Sequence, residues 1–151
     1  MEETREEPRR VVHGFKDLLV WQRAKSVAVR CIRLANDSPS ALGAAVLFRQ
    51  TIAAAGSVAA NIAEGYGRRG GAEYRRFLEI AYGSACETEN WVILIQESGL
   101  GREQDWQPLL ADLDEIQRML ATMMRRLREG VRQAAAIRES TEAYEPLRAP
   151  P

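Results

Sequence analysis

Residues Ala41–Gly99 read ALGAAVLFRQTIAAAGSVAANIAEGYGRRGGAEYRRFLEIAYGSACETENWVILIQESG. Two long stretches with helical period flank a single break. In the first, from about Ala41 to Tyr66, the residues Ala45, Phe48, Ile52, Ala55, Ala59, Ile62 and Tyr66 recur at alternating steps of three and four. In the second, from Ala72 to Ser98, Phe77, Ala81, Ser84, Thr88, Trp91 and Ile95 do the same, with Leu78, Ala85 and Val92 beside them. Such steps place apolar side chains on one face of an α-helix. Gly65, Gly67, Gly70 and Gly71 break the pattern between them, and Ser98-Gly99 is a C-cap signal at the end. The pair therefore predicts an antiparallel helical hairpin. Within its first arm lies a run of small residues, Ala53 to Ala60, around Gly56. Glycine inside a helix costs about 1 kcal/mol relative to alanine, so Gly56 is expected where neighbouring backbones approach closely.

Two more helical segments lie outside this hairpin. From Asp17 to Asn36 there are two adjacent seams: Leu18, Trp21, Ala28, Ile32 and Ala35, and Val20, Ala24, Val27, Cys31 and Leu34. That apolar face is wider than one neighbour requires. Asn36-Asp-Ser-Pro39 stops it with turn chemistry. The last segment begins near Glu103–Pro108, and Trp106, Leu109, Leu113, Ile116, Leu120, Met123 and Leu127 keep an unbroken heptad. Leu110, Met124 and Val131 make a second stripe, and Gly130 is expected to weaken or end the regular part. The fold class that follows is all-α, an antiparallel up-down-up-down four-helix bundle with short connections. The bundle is assigned to residues 14–137, between flexible, disordered tails at 1–13 and 138–151, which mix charges and prolines without an apolar period.

The 151 residues suit one domain. Basic and acidic residues balance at 21 each, so no global field draws the whole chain to nucleic acid or membrane. Cys31 and Cys86 are too few for a disulfide framework, and His13 is the one histidine, so no site needing two histidines fits. Both cysteines sit on or beside apolar seams and read as buried, inert thiols. No metal, catalytic residue or cofactor is expected. Without a signal-like N-terminus or an obvious span, a cytoplasmic protein is expected, with no membrane partner and no small-molecule substrate.

The polar residues inside the hairpin read as structural. With the turn centred near residue 69, Ser84 falls opposite Ala54 or Ala55, Glu87 opposite Gln50 or Thr51, and Glu64 near Tyr74. Ser57, Asn61, Glu64, Ser84 and Glu87 are assigned to a hydrogen-bonded network that fixes register. The carboxylates have no nucleophile beside them and no Glu-x-x-His pattern, so they are not read as catalytic. The glycine-rich turn lacks the Lys-Ser/Thr of a phosphate-binding loop.

Charge is segregated by the predicted topology. One end collects Lys16, Arg68, Arg69, Arg75, Arg76, Arg125, Arg126, Arg128 and Arg132; the other collects Asp37, Glu97, Glu103, Asp105, Asp112, Asp114 and Glu115. Helix-dipole complementarity explains the fourth helix but not Arg75 and Arg76 near a helix start. The basic end is the candidate nucleic-acid-binding surface.

Three blocks carry a resemblance: Phe15-Lys-Asp-Leu18 with Val20-Trp21; Ser57-Val-Ala-Ala-Asn-Ile-Ala-Glu-Gly65; and Tyr74-Arg-Arg-Phe-Leu-Glu-Ile-Ala-Tyr-Gly-Ser84 followed by Glu87. Over residues 14–127 the chain resembles the bacterial four-helix bundle protein family encoded in intervening sequences of large-subunit ribosomal RNA genes. The resemblance implies a four-helix subunit, a ring-like homopentamer and no enzymatic activity. It also implies kinship with accessory proteins of diversity-generating retroelements, which work with a reverse transcriptase and its RNA. Two positions depart from the family pattern: Ile52 and Ala53 stand where a pair of arginines is usual, and Ala59 where a proline is usual. The function expected is therefore a non-enzymatic homo-oligomeric adaptor or scaffold. Its expected partners are further copies of itself and RNA, DNA or a reverse transcriptase at the basic end. The alternative is a purely structural oligomer that binds another protein through apolar faces or tails.

Overall fold

The computed structural model describes residues 12–38, 41–68 and 70–142, with side chains described to residue 133. A short 3-10 turn, Phe15–Asp17, leads into four helices: α1 (Leu19–Asn36), α2 (Leu42–Gly67), α3 (Gly71–Glu97) and α4 (Glu103–Glu142). Each packs on its neighbours in sequence, and α1 closes the bundle against α4. The all-α four-helix arrangement is as the periodicity predicts, and no strand occurs among the described residues.

The core takes one seam from each helix. On α1 it is Val20, Ala24, Val27 and Cys31, while Ile32 from the other seam is exposed. On α2 the buried set is Ala44, Phe48, Thr51, Ala55, Val58, Ile62 and Gly65, with Ala54 beside it. This is rotated from the expected seam: Ala45 is exposed and Tyr66 only half-buried. Alanine is so abundant on α2 that several faces share the period. Thr51 enters the core because its hydroxyl donates to the Leu47 carbonyl at 2.8 Å. Thr88 of α3 does the same with the Ser84 carbonyl at 2.7 Å. On α4, Trp106, Leu109, Leu113, Ile116 and Leu120 are all buried.

The α3–α4 connection follows from two glycines. The amide of Gly99 (φ +72°) donates to the Gln96 carbonyl and that of Leu100 to the Ile95 carbonyl, which ends α3 in a left-handed cap. Gly101 (φ +73°) lies under the Trp106 ring, where a Cβ would have no room. The Trp106 indole donates to the Leu100 carbonyl at 2.8 Å and so fastens the turn to the core.

Two details differ from expectation. First, α4 continues through Gly130 to Glu142, past the boundary expected at 137. Leucine and alanine on either side of Gly130 propagate the helix once the bundle has nucleated it. Second, the close approach is at Gly65, not Gly56. A Cβ on Gly65 would fall 2.8 Å from the Cβ of Phe77 and 3.0 Å from the Tyr74 ring, whereas one on Gly56 would meet nothing within 4 Å. By length and composition α2 could cross a membrane, although no such span was apparent from the sequence. Here its buried stripe is spent on the bundle core.

These two glycines should behave oppositely. Gly65→Ala sets two backbone-fixed Cβ atoms against each other and is expected to lose about 1–3 kcal/mol. Gly56→Ala is expected to gain about 0.5–1 kcal/mol from helix propensity. Urea unfolding followed by circular dichroism measures both.

Candidate nucleic-acid interface

The α2–α3 hairpin sets the geometry of the basic end. Its register is fixed by the Ser57 and Ser84 hydroxyls, 2.9 Å apart, and by the Asn61 amide, which donates to the Ser57 carbonyl at 2.8 Å and to its hydroxyl at 3.0 Å. Ser84 thus faces Ser57, two to three residues on from the Ala54 or Ala55 expected. The carboxylates lie elsewhere: Glu64 pairs with Arg68, and Glu87 accepts from the Trp91 indole at 3.2 Å. The five polar residues assigned to one network therefore divide into a Ser57–Asn61–Ser84 cluster and two separate surface pairs.

Val131 of α4 packs beside Gly71 at the start of α3, since a Cβ on Gly71 would meet Val131 at 3.6 Å. This places Arg125, Arg126 and Arg128 of α4 level with Arg75 and Arg76. The nine basic residues are not equivalent there. Arg68 is held by Glu64 and lies over the Phe77 ring at 5.3 Å, and Arg75 is held by Glu79 at 2.9 Å. Arg69 lies outside the described residues. Lys16, Arg76, Arg125, Arg126, Arg128 and Arg132 are exposed and form no ion pair with a described residue. Along α4, Arg125, Arg128 and Arg132 recur at three and four residues, so they share one outward stripe. Arg126 lies to one side of it, with Met119, Thr122 and Met123 along a shallow groove.

The acidic residues divide likewise. Asp112 and Glu115 turn towards α1: Arg30 pairs with Asp112, and Arg23 reaches Glu115 at 2.9 Å and Asp112 at 3.6 Å. The four side chains are between 31% and 40% exposed. This clamp between α1 and α4 was not apparent in the sequence. Asp114 binds Arg118, and Asp105 binds Arg102, whose hydrogen bonds hold the Asp105 carboxyl below the usual carboxylate range. Asp37, Glu97 and Glu103 remain exposed without an ion pair to a described residue.

Among the described residues no group of three His, Cys, Asp or Glu side chains gathers as a metal site would require. Burial pushes the Cys31 thiol up to about 11. Cys86 is also raised, first by burial and then by nearby Glu89, but is only half-buried.

A family model for the 23S rRNA-intervening sequence protein matches residues 16–122. Among solved structures, this fold is similar to a protein of unknown function from the S23 ribosomal protein family of Bacteroides thetaiotaomicron VPI-5482. The TM-score is 0.65 at 24% identity, over 70% of this chain and 98% of that one. At that identity the likeness is one of fold. No curated protein matches the chain.

The thiols give a direct check on this placement. Native protein at pH 8 is expected to expose one slowly reacting thiol, Cys86, to a maleimide or disulfide reagent, and two in denaturant; peptide mapping identifies the labelled residue. Early labelling of Cys31 would contradict its burial.

Proposed function

We propose that this chain, which belongs to the 23S rRNA-intervening sequence protein family, is a non-enzymatic homo-oligomeric scaffold that binds the phosphate backbone of nucleic acid through the basic end of its bundle. The observation that carries the reading is the set of exposed arginines without an ion pair to a described residue, Arg76, Arg125, Arg126, Arg128 and Arg132, gathered at one end of a chain with balanced charge. Backbone phosphate needs cationic donors in an open arrangement and no reading of base edges. Arginine suits it because its planar fork can hold a phosphate through two hydrogen bonds.

Oligomerisation supplies the charge that one subunit lacks. A few arginines on a monomer make a weak field, whereas several copies on one face make a ring that concentrates polyanions. A homopentamer fits this reading, as does a cytoplasmic setting beside RNA. A reverse transcriptase is one nucleic-acid enzyme whose RNA such a scaffold would hold. The alternative, a scaffold for another protein, draws on the exposed apolar side chains Leu19, Val29, Ile32, Ile80, Ile93 and Leu94.

Fluorescence anisotropy with structured RNA and duplex DNA tests the reading. Binding is expected to weaken linearly in log–log form as salt rises, with a slope of about −0.9 per duplex phosphate neutralised. Changing Arg76, Arg125, Arg126 and Arg128 together to Glu should abolish it, whereas Arg68→Ala, already engaged by Glu64, should change it little. Binding that survives the fourfold reversal, or that is absent at low salt, overturns the reading.

A further inference from the structure

Two dissimilar surfaces with exposed apolar side chains are uncovered: a cleft at the end opposite the basic one, and a ridge that runs along α3 from one turn past Arg76 to that same end. One is concave. A cleft of about 570 Å³ lies between the end of α1 and the first half of α2, lined by Ala35, Ala45, Phe48 and Ile52 together with the polar Asn36, Ser38 and Arg49. Its alanines keep it open, and Arg49 is exposed without an ion pair to a described residue. The other is convex. On α3, Ile80, Glu87, Trp91 and Leu94 follow at steps of seven, four and three, so they form one ridge. Ile80 and Leu94 are 43% and 40% exposed, and the half-buried Trp91 turns its indole N–H to Glu87. Glu87 and Glu97 on this ridge are exposed and form no ion pair with a described residue.

We propose that the α3 ridge of one subunit seats in the α1–α2 cleft of a second copy, with Trp91 and Leu94 against Ala35, Ala45 and Ile52 and the carboxylates of Glu87 and Glu97 flanking Arg49. Charge selects this pairing. Cleft on cleft would set Arg49 against Arg49, and ridge on ridge would set glutamate against glutamate; cleft on ridge brings Arg49 to the carboxylates, with the exposed Asp37, between the lining residues Asn36 and Ser38, working against them. The contact is therefore between unlike surfaces, and every subunit carries both.

Height along the bundle decides what such a contact builds. Phe48 of the cleft lies 6.1 Å from the Trp106 ring, and Trp106 is hydrogen-bonded to Leu100, just beyond the end of α3. Cleft and ridge thus lie at similar heights on the subunit. With the rotation axis along the bundles and a rotation that closes, a head-to-tail contact without axial shift builds a ring and does not grow as a filament. In that ring all basic ends point the same way. The inference rests on the oligomeric part of the proposed function and gives it an interface.

The test is size-exclusion chromatography with light scattering at micromolar concentration, with circular dichroism to confirm folding. Wild type should run as a multiple of the 16.9 kDa subunit. Arg49→Glu should reduce it to monomer, as should Glu87→Arg combined with Glu97→Arg. All three changes in one chain should restore the assembly. If wild type is monomeric, the oligomeric scaffold fails altogether. If wild type assembles but ignores either reversal, or the combined chain stays dissociated, this interface alone is overturned. All three positions are exposed, so the variants should fold, and the ridge has a charge-independent check: Leu94→Asp should also dissociate the wild-type assembly.

Discussion

The distance between α2 and α3 governs the rest of the molecule. Gly65 lets the two backbones meet where Phe77 and Tyr74 would otherwise hold them apart, and the Ser57–Ser84 pair locks the register behind that contact. A shift of one turn would strip Ser57 and Ser84 of each other and set Gly65 against the wrong neighbour. Apolar burial favours any collapsed bundle, because it has no direction. The small contact and the short hydrogen bonds select one bundle from many.

The fold was legible because long heptads without strand alternation leave few architectures. The Trp106–Leu120 seam of α4 is buried as its spacing implies. On α2 the period was visible but the phase was not. Alanine satisfies any seam, and Thr51, outside the expected seam, is buried because its hydroxyl is satisfied by its own helix. The two glycines were misjudged for a related reason. Spacing shows that a glycine lies in a helix, but only the neighbouring helix shows whether its missing Cβ makes room for anything.

The candidate site was legible in outline. Topology alone brought the arginines to one end. Which arginines are engaged was partly readable too: Glu64–Arg68, Arg75–Glu79 and Asp114–Arg118 are all spaced by four, a signal for ion pairs on one helix. The clamp between Arg23, Arg30, Asp112 and Glu115 was not readable, because its members come from opposite ends of the chain. It also changes how the acidic end is understood, since two of the acids expected there serve α1. The Nε atoms of Arg23 and Arg30 are buried without a partner among the described residues, so this edge is held less completely than the α2–α3 edge.

The length of α4 has a further consequence. Its neighbour α3 begins level with Val131, yet α4 runs on to Glu142, about 16 Å further at the rise of an α-helix. The amides of that extension are protected from solvent hydrogen by the helix's own bonds, which open from the end inward. Their exchange with deuterium therefore works as a gauge built into the subunit. It should run fast when nothing rests on the basic end and slow when something does, without any label on the arginines themselves.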